Sequence, residues 1–133
     1  MANILVIDDD PDIRVLVRKS LALEGHVIFE AGNGEEGVEV LNDGAIDLII
    51  TDIFMPEMDG FELISEVMNG RLHRQEKFKS IKIIAITGGQ KLMDSHHMVR
   101  MARMFGVHDT MIKPFDRLDI RRKVAQLLKV PVT

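Results

Sequence analysis

Cysteine is absent from the 133 residues, which excludes thiolate chemistry and disulfides and fits a reducing compartment. Apolar runs are only a few residues long, far below the roughly 20 needed to span a bilayer. The opening stretch MANILVIDDD turns acidic where the apolar region of a signal peptide would continue, so no leader is expected. Basic residues do not dominate either: 17 Lys and Arg stand against 21 Asp and Glu, for a net charge of −4. A general nucleic-acid footprint is therefore not indicated, and direct nucleic-acid binding is not expected. No glycine-rich phosphate loop follows the first aliphatic run, where DDDPD would repel phosphate in the absence of a metal. What remains is an ordinary globular balance, 46% apolar and 29% charged. Residues 1–133 are expected to form a single cytoplasmic domain with no membrane contact.

Short aliphatic runs alternate with longer segments of helical spacing. The runs are Ile4–Ile7, Val27–Ala31, Leu48–Thr51, Ile83–Thr87 and Thr110–Ile112. Most are nearly continuous Ile, Leu and Val, as expected for strands covered on both faces. Between the first two, Ile13, Leu16, Val17 and Leu21 recur at helical spacing before Gly25 stops the pattern. Leu118, Ile120, Val124, Leu127 and Leu128 repeat it in the last segment. Five strand–helix units with short connections predict an α/β fold with a five-stranded parallel sheet wrapped by helices. The polar stretch NGRLHRQEKFKS, 69–80, either extends the third helix or loops beyond it.

In open sheets of this kind, ligands bind beyond the carboxyl ends of the strands, where the strand order reverses. The residues at those ends are Asp8 and Asp9, Asp52, Thr87 and Lys113, each a polar side chain closing an apolar run. Alone, each has an ordinary explanation as a solvated turn, a local hydrogen bond or an exposed lysine. Together they specify a site. Two carboxylates ~4 Å apart repel by roughly 4 kcal/mol at an effective dielectric of ~20, so three converging carboxylates call for a cation or for raised pKa values. An all-oxygen set without His or Cys favours Mg²⁺, with Mn²⁺ as the substitute. Positive charge from Lys113 and a hydroxyl from Thr87 beside a carboxylate suit a phosphoryl group, whose transfer depends on positioning and charge stabilisation.

The run of aspartates itself divides. Pro11 suits a first helical position, which makes Asp10 the expected N-cap and leaves Asp12 to favour the positive helix end. Asp8 and Asp9 remain for the cation.

The pieces ILVIDDD (4–10), DLIITDIFMPEMDGFEL (47–63), IIAITG (83–88) and MIKPF (111–115) resemble the receiver domain of two-component response regulators, of the chemotaxis-type single-domain kind. The third-strand block with its M-P-x-M-D-G is the specific one. The resemblance implies a flavodoxin-like doubly wound (βα)5 fold with strand order 2-1-3-4-5. It implies that Asp52 is the phosphoacceptor and that Asp8, Asp9, Asp52 and the backbone carbonyl of Phe54 hold Mg²⁺. Lys113 would pair with the carboxylate and then the phosphoryl oxygens, and Thr87 would swing toward them. A cis peptide at Lys113-Pro114 is expected as well. The partners implied are a sensor histidine kinase or histidine phosphotransfer protein and a downstream protein met by the helix 4–strand 5–helix 5 face. The chain would be a monomer or a phosphorylation-dependent dimer. A phosphohydrolase working through an aspartyl-phosphate is the alternative, although Phe54 stands where its general acid would be needed.

Two positions depart from the family pattern. Thr110 replaces the Phe or Tyr usual three residues before the lysine, so output is expected to rely on the loop Gly88-Gly89 and the fourth helix. Phe54, two residues after the acceptor, cannot orient a water, so slow self-dephosphorylation is expected, slower than in Phe54→Asn. Elsewhere, Met98, Met101, Ala102 and Phe105 are expected to form the core stripe of helix 4, with Met93 and Met104 off it. Adjacent His96 and His97 do not chelate, and Arg121, Arg122 and Lys123 form a solvated face behind Asp116 and Asp119.

Overall fold

Ile4, Leu5, Val6 and Ile7 are all fully buried, a pattern that only a strand with neighbours on both faces produces. They lie in β1 (Asn3–Ile7), an inner strand of the sheet in the computed structural model. The structure describes residues 2–53, 60–70, 72, 75–88 and 95–129. Elements alternate along the chain: α1 (Pro11–Ala22), β2 (Val27–Ala31), α2 (Gly34–Asp43), β3 (Leu48–Asp52), α3 (Gly60–Met68), β4 (Lys82–Thr87), α4 (Ser95–Met104), β5 (Asp109–Ile112) and α5 (Arg117–Leu128). All paired strands run parallel, in the order β2-β1-β3-β4-β5. That is the order the resemblance implied. No described helix is long and apolar enough to cross a membrane.

The two sheet faces carry separate cores. Leu5, Ile7, Ile49, Ile83 and Ala85 pack with α2, α3 and α4 through Leu41, Leu63, Ile64, Val67 and Ala102. Ile4, Val6, Leu48, Ile50, Ile84 and Ile86 pack with α1 and α5 through Val17, Leu21, Ile120 and Val124. The period of two along each strand thus feeds alternate residues to opposite helical layers. Burying a Leu or Ile side chain in such a layer is worth about 1.5–3 kcal/mol.

The edges depart from the expectation of strands covered on both faces. Val27 and Phe29 of β2 and Ile112 of β5 are exposed, because each edge strand has a sheet neighbour on one side only. Leu118 is also 43% exposed, off the buried stripe of Ile120, Val124 and Ala125. The described residues of the stretch 69–80 lie beyond α3, with a 3-10 turn at Glu76–Phe78. Its composition hid two anchors: Leu72 and Phe78 are buried in the core. In α4, Ala102 is fully buried and Met104 is 85% exposed, while Phe105, just past the helix end, packs on the core. The side chains of Met98 and Met101 lie outside the described residues, as do those of His96 and His97 and all of Met93.

Candidate functional site

The helix start at Asp10 sets up the crevice. Asp10 adopts extended backbone and its carboxylate accepts from the Asp12 N–H, with Pro11 in the first turn. This N-cap turns the chain sharply away from β1 and leaves Asp8 and Asp9 at the strand's carboxyl end. Asp8 is fully buried and almost every polar atom it has is engaged. Its N–H donates to the Ala31 carbonyl at 3.2 Å, its Oδ1 accepts from the Asp10 N–H at 2.9 Å, and its carbonyl accepts from Arg14 Nη1 at 2.6 Å. Oδ2 has no aligned hydrogen-bond donor among the described residues. It faces the Lys113 ammonium as a charge contact at 3.3 Å.

Asp52 is the last residue of β3 rather than the first beyond it, paired with Ile86 of β4 and 4% exposed. Its Oδ2 accepts from Lys113 Nζ at 3.1 Å. Asp9 is exposed, and it completes a cluster in which one oxygen each of Asp8, Asp9 and Asp52 lie within 4.8 Å of one another. One lysine therefore contacts two members, Asp8 and Asp52, of a cluster of three carboxylates. Burial and the Asp52 charge push Asp8 up to about 6 from 3.8, against the opposing Asp10 N–H and Lys113. Burial alone would lower Lys113, but the Asp52 and Asp8 carboxylates outweigh it and raise it overall, so it stays charged.

The fourth and fifth strands complete the crevice. Lys113 N–H donates to the Thr87 carbonyl at 2.8 Å, and the Lys113–Pro114 peptide is cis, as expected. Gly88 has φ +99, and a Cβ there would meet Lys113 backbone atoms at 3.2 Å, so only glycine lets the two loops approach this closely. Thr87 is buried, and its hydroxyl has no hydrogen-bond partner among the described residues.

The structure thus brings together Asp8, Asp9, Asp52, Thr87 and Lys113, the five residues chosen from the strand ends. Phe54, whose carbonyl was to be a further ligand, lies outside the described residues. A hard divalent cation fits the donor set. Surplus negative charge, an Asp8 Oδ2 without an aligned donor and a carboxyl forced above its usual range are all relieved by one.

Arg14 was missed by sequence reasoning, and so was its partner Glu30. Arg14 Nε contacts Glu30 Oε1 at 3.3 Å, and Arg18 Nη1 contacts Glu30 Oε2 at 2.7 Å. The available signal was Glu30 inside an otherwise apolar strand, opposite two arginines spaced i, i+4 on one helix face.

Fold and crevice define a doubly wound α/β domain built around an acidic, lysine-bridged site. A sequence profile described as the response regulator receiver domain matches residues 4–125. The chain belongs to that family and is a signalling domain of two-component systems. It is 38% identical over 124 residues to an uncharacterized 14.6 kDa protein of Leptolyngbya boryana, covering 93% of this chain and 88% of that one. A probable transcriptional regulator, ycf27 of Cyanidium caldarium, is 29% identical over 96% of this chain, which spans 46% of that relative. Among solved structures, the chemotaxis response regulator CheY4 of Vibrio cholerae superposes with TM-score 0.81 at 25% identity, covering 96% of this chain and 98% of that one.

Proposed function

We propose that Asp52 accepts a phosphoryl group from a phosphohistidine of a sensor kinase or phosphotransfer protein, and that the acyl phosphate resets a protein-binding surface. The observation that carries this reading is the single ammonium of Lys113, 3.1 Å from Asp52 Oδ2 and 3.3 Å from Asp8 Oδ2. An Asp52 oxygen attacks phosphorus, the O–P bond forms as the N–P bond breaks, and the leaving imidazole takes up a proton. Asp8, Asp9 and Asp52 would hold Mg²⁺, which when bound offsets charge on the phosphoryl oxygens. Lys113 is positioned to follow that charge from carboxylate to phosphoryl. The buried Thr87 hydroxyl offers a hydrogen-bond donor.

Two surfaces suit the partners. A mostly apolar cleft of about 490 Å³ beside the site, lined by Ile13, Leu16, Lys113, Pro114 and Phe115, suits a phosphodonor protein. The α4–β5–α5 face suits the output partner, with Met104, Ile112 and Leu118 exposed along it. The same reading takes residues 1–133 as one receiver domain. Incubation with Mg²⁺ and acetyl phosphate tests it. Intact mass should show one phosphoryl adduct on wild type and none on Asp52→Asn, and equal adducts on both would exclude Asp52.

A further inference from the structure

Glu30 is the charged residue of the otherwise apolar strand β2, and it is only partly exposed. Its two oxygens are divided between two arginines on α1: Oε1 to Arg14 at 3.3 Å and Oε2 to Arg18 at 2.7 Å. Arg14 alone reaches further. Its Nη1 donates to the Asp8 carbonyl at 2.6 Å while Nε stays on Glu30. The rigid guanidinium fork thus joins β2 to the first residue after β1.

That carbonyl belongs to the peptide unit joining Asp8 to Asp9. Peptide units are planar, so fixing the Asp8 oxygen also fixes the direction of the Asp9 N–H and Cα. The other end of Asp8 is held by its own N–H on Ala31 and by Asp10 on Oδ1. Asp8 needs little more restraint. Asp9, exposed and next in the chain, inherits its placement from this plane.

We infer that Arg14, anchored by Glu30, is a positioning residue for the cation site, setting the Asp8–Asp9 peptide plane so that the two carboxylates converge with Asp52. This rests on the proposal that the three aspartates hold Mg²⁺. Arg14 touches neither cation nor phosphoryl group; it acts through the backbone. Groups that orient metal ligands in this indirect way typically change affinity 10–100-fold when removed.

Charge makes the test decisive. Arg14 is a cation near a cation site, so deleting its charge should tighten Mg²⁺ binding if electrostatics were its only role. Positioning requires the opposite. Mg²⁺ affinity of the full chain is measured by titration calorimetry on wild type, Arg14→Gln, Arg14→Lys and Arg18→Gln, with urea midpoints taken in EDTA. Arg14→Gln should weaken Mg²⁺ about tenfold, and Arg14→Lys, which keeps the charge but loses the fork, by a smaller factor. Arg18→Gln shares Glu30 but does not touch Asp8, and should bind as tightly as wild type or slightly tighter. Arg14→Gln binding as tightly as wild type, or losing affinity only in step with its urea midpoint, overturns the inference. A wild type that takes up no Mg²⁺ contradicts the cation reading itself, a different result from an undiminished Arg14→Gln.

Discussion

Lys113 Nζ sits 3.1 Å from Asp52 Oδ2 and, through the same ammonium, 3.3 Å from Asp8 Oδ2. Burial first, and the Asp52 charge after it, outweigh that one ammonium, and Asp8 holds its proton up to about 6 rather than 3.8. A carboxyl raised on folding penalises the folded state above about pH 6, and the penalty disappears as pH falls toward 3.8. Asp8→Asn, which keeps an acceptor for the Asp10 N–H, should therefore stabilise the metal-free protein at pH 7.5 by about 1–3 kcal/mol. The gap should close between pH 6 and 4 in urea titrations with EDTA. Added Mg²⁺ should raise the midpoint of wild type and leave that of the variant unmoved. A destabilised Asp8→Asn at pH 7.5 would show that the Lys113 contact outweighs burial.

Two histidines act at the opposite end of the sheet. His26, just before β2, accepts the Ala2 N–H on Nδ1 at 3.1 Å. His108, just before β5, accepts the Ile83 N–H on Nδ1 at 3.0 Å. Each ring closes a gap between an edge strand and its neighbour, and each must be neutral at Nδ1 to do so. Burial is the first cause lowering both below 6.5, joined at His108 by the charge of Lys82. A histidine lowered on folding costs nothing above 6.5, and stability falls as pH drops below that value. NMR titration should find both rings titrating below 6.5 with the proton on Nε2 at neutral pH. Titration at or above 6.5 would contradict these contacts.

Gly37 of α2 lies against the end of β1. A Cβ there would sit 2.6 Å from Ile7 Cδ1, and Ile7 immediately precedes Asp8. Gly37→Ala should cost about 1–3 kcal/mol through overpacking. Ile7→Val removes that methyl group, so the double variant should be more stable than the two single losses added together predict. Strict additivity in urea denaturation would refute the contact.

Thr110 is buried opposite Ala85 in the β4–β5 pairing, where the family usually has a ring able to swing. Gly88 lies close against the Lys113 backbone, and we propose that it passes the phosphoryl signal on to α4. Mg²⁺ with beryllofluoride as phosphoryl mimic should shift the amides of Gly88 and α4 as well as those beside Asp8. Shifts confined to the β1–α1 loop would mean that α4 does not respond.

The fold was legible because each buried strand is a short aliphatic run and each helix carries an apolar stripe. The site was legible because a polar residue ends each of the strands that line it. Charges used inward were harder to see. Glu30 falls in a strand that the apolar count already explained, and its arginines look like a solvated helix face. His26 and His108 are single residues before strands, and nothing in local sequence says that each ring Nδ1 accepts from a backbone N–H group far along the chain. Leu118 misled in the other direction, because helical spacing alone does not say which edge of an apolar stripe the sheet reaches.

Chemical trapping reads out whether the phosphoryl group sits on Asp52. An acyl phosphate is reduced by borohydride to an alcohol, which marks the modified aspartate as homoserine in peptide mass spectra. After acetyl phosphate and Mg²⁺, the mark should fall on Asp52, and it should vanish when EDTA replaces the metal. A mark on Asp8 or Asp9, or a metal-independent adduct elsewhere with Asp52 untouched, would exclude Asp52 as the acceptor.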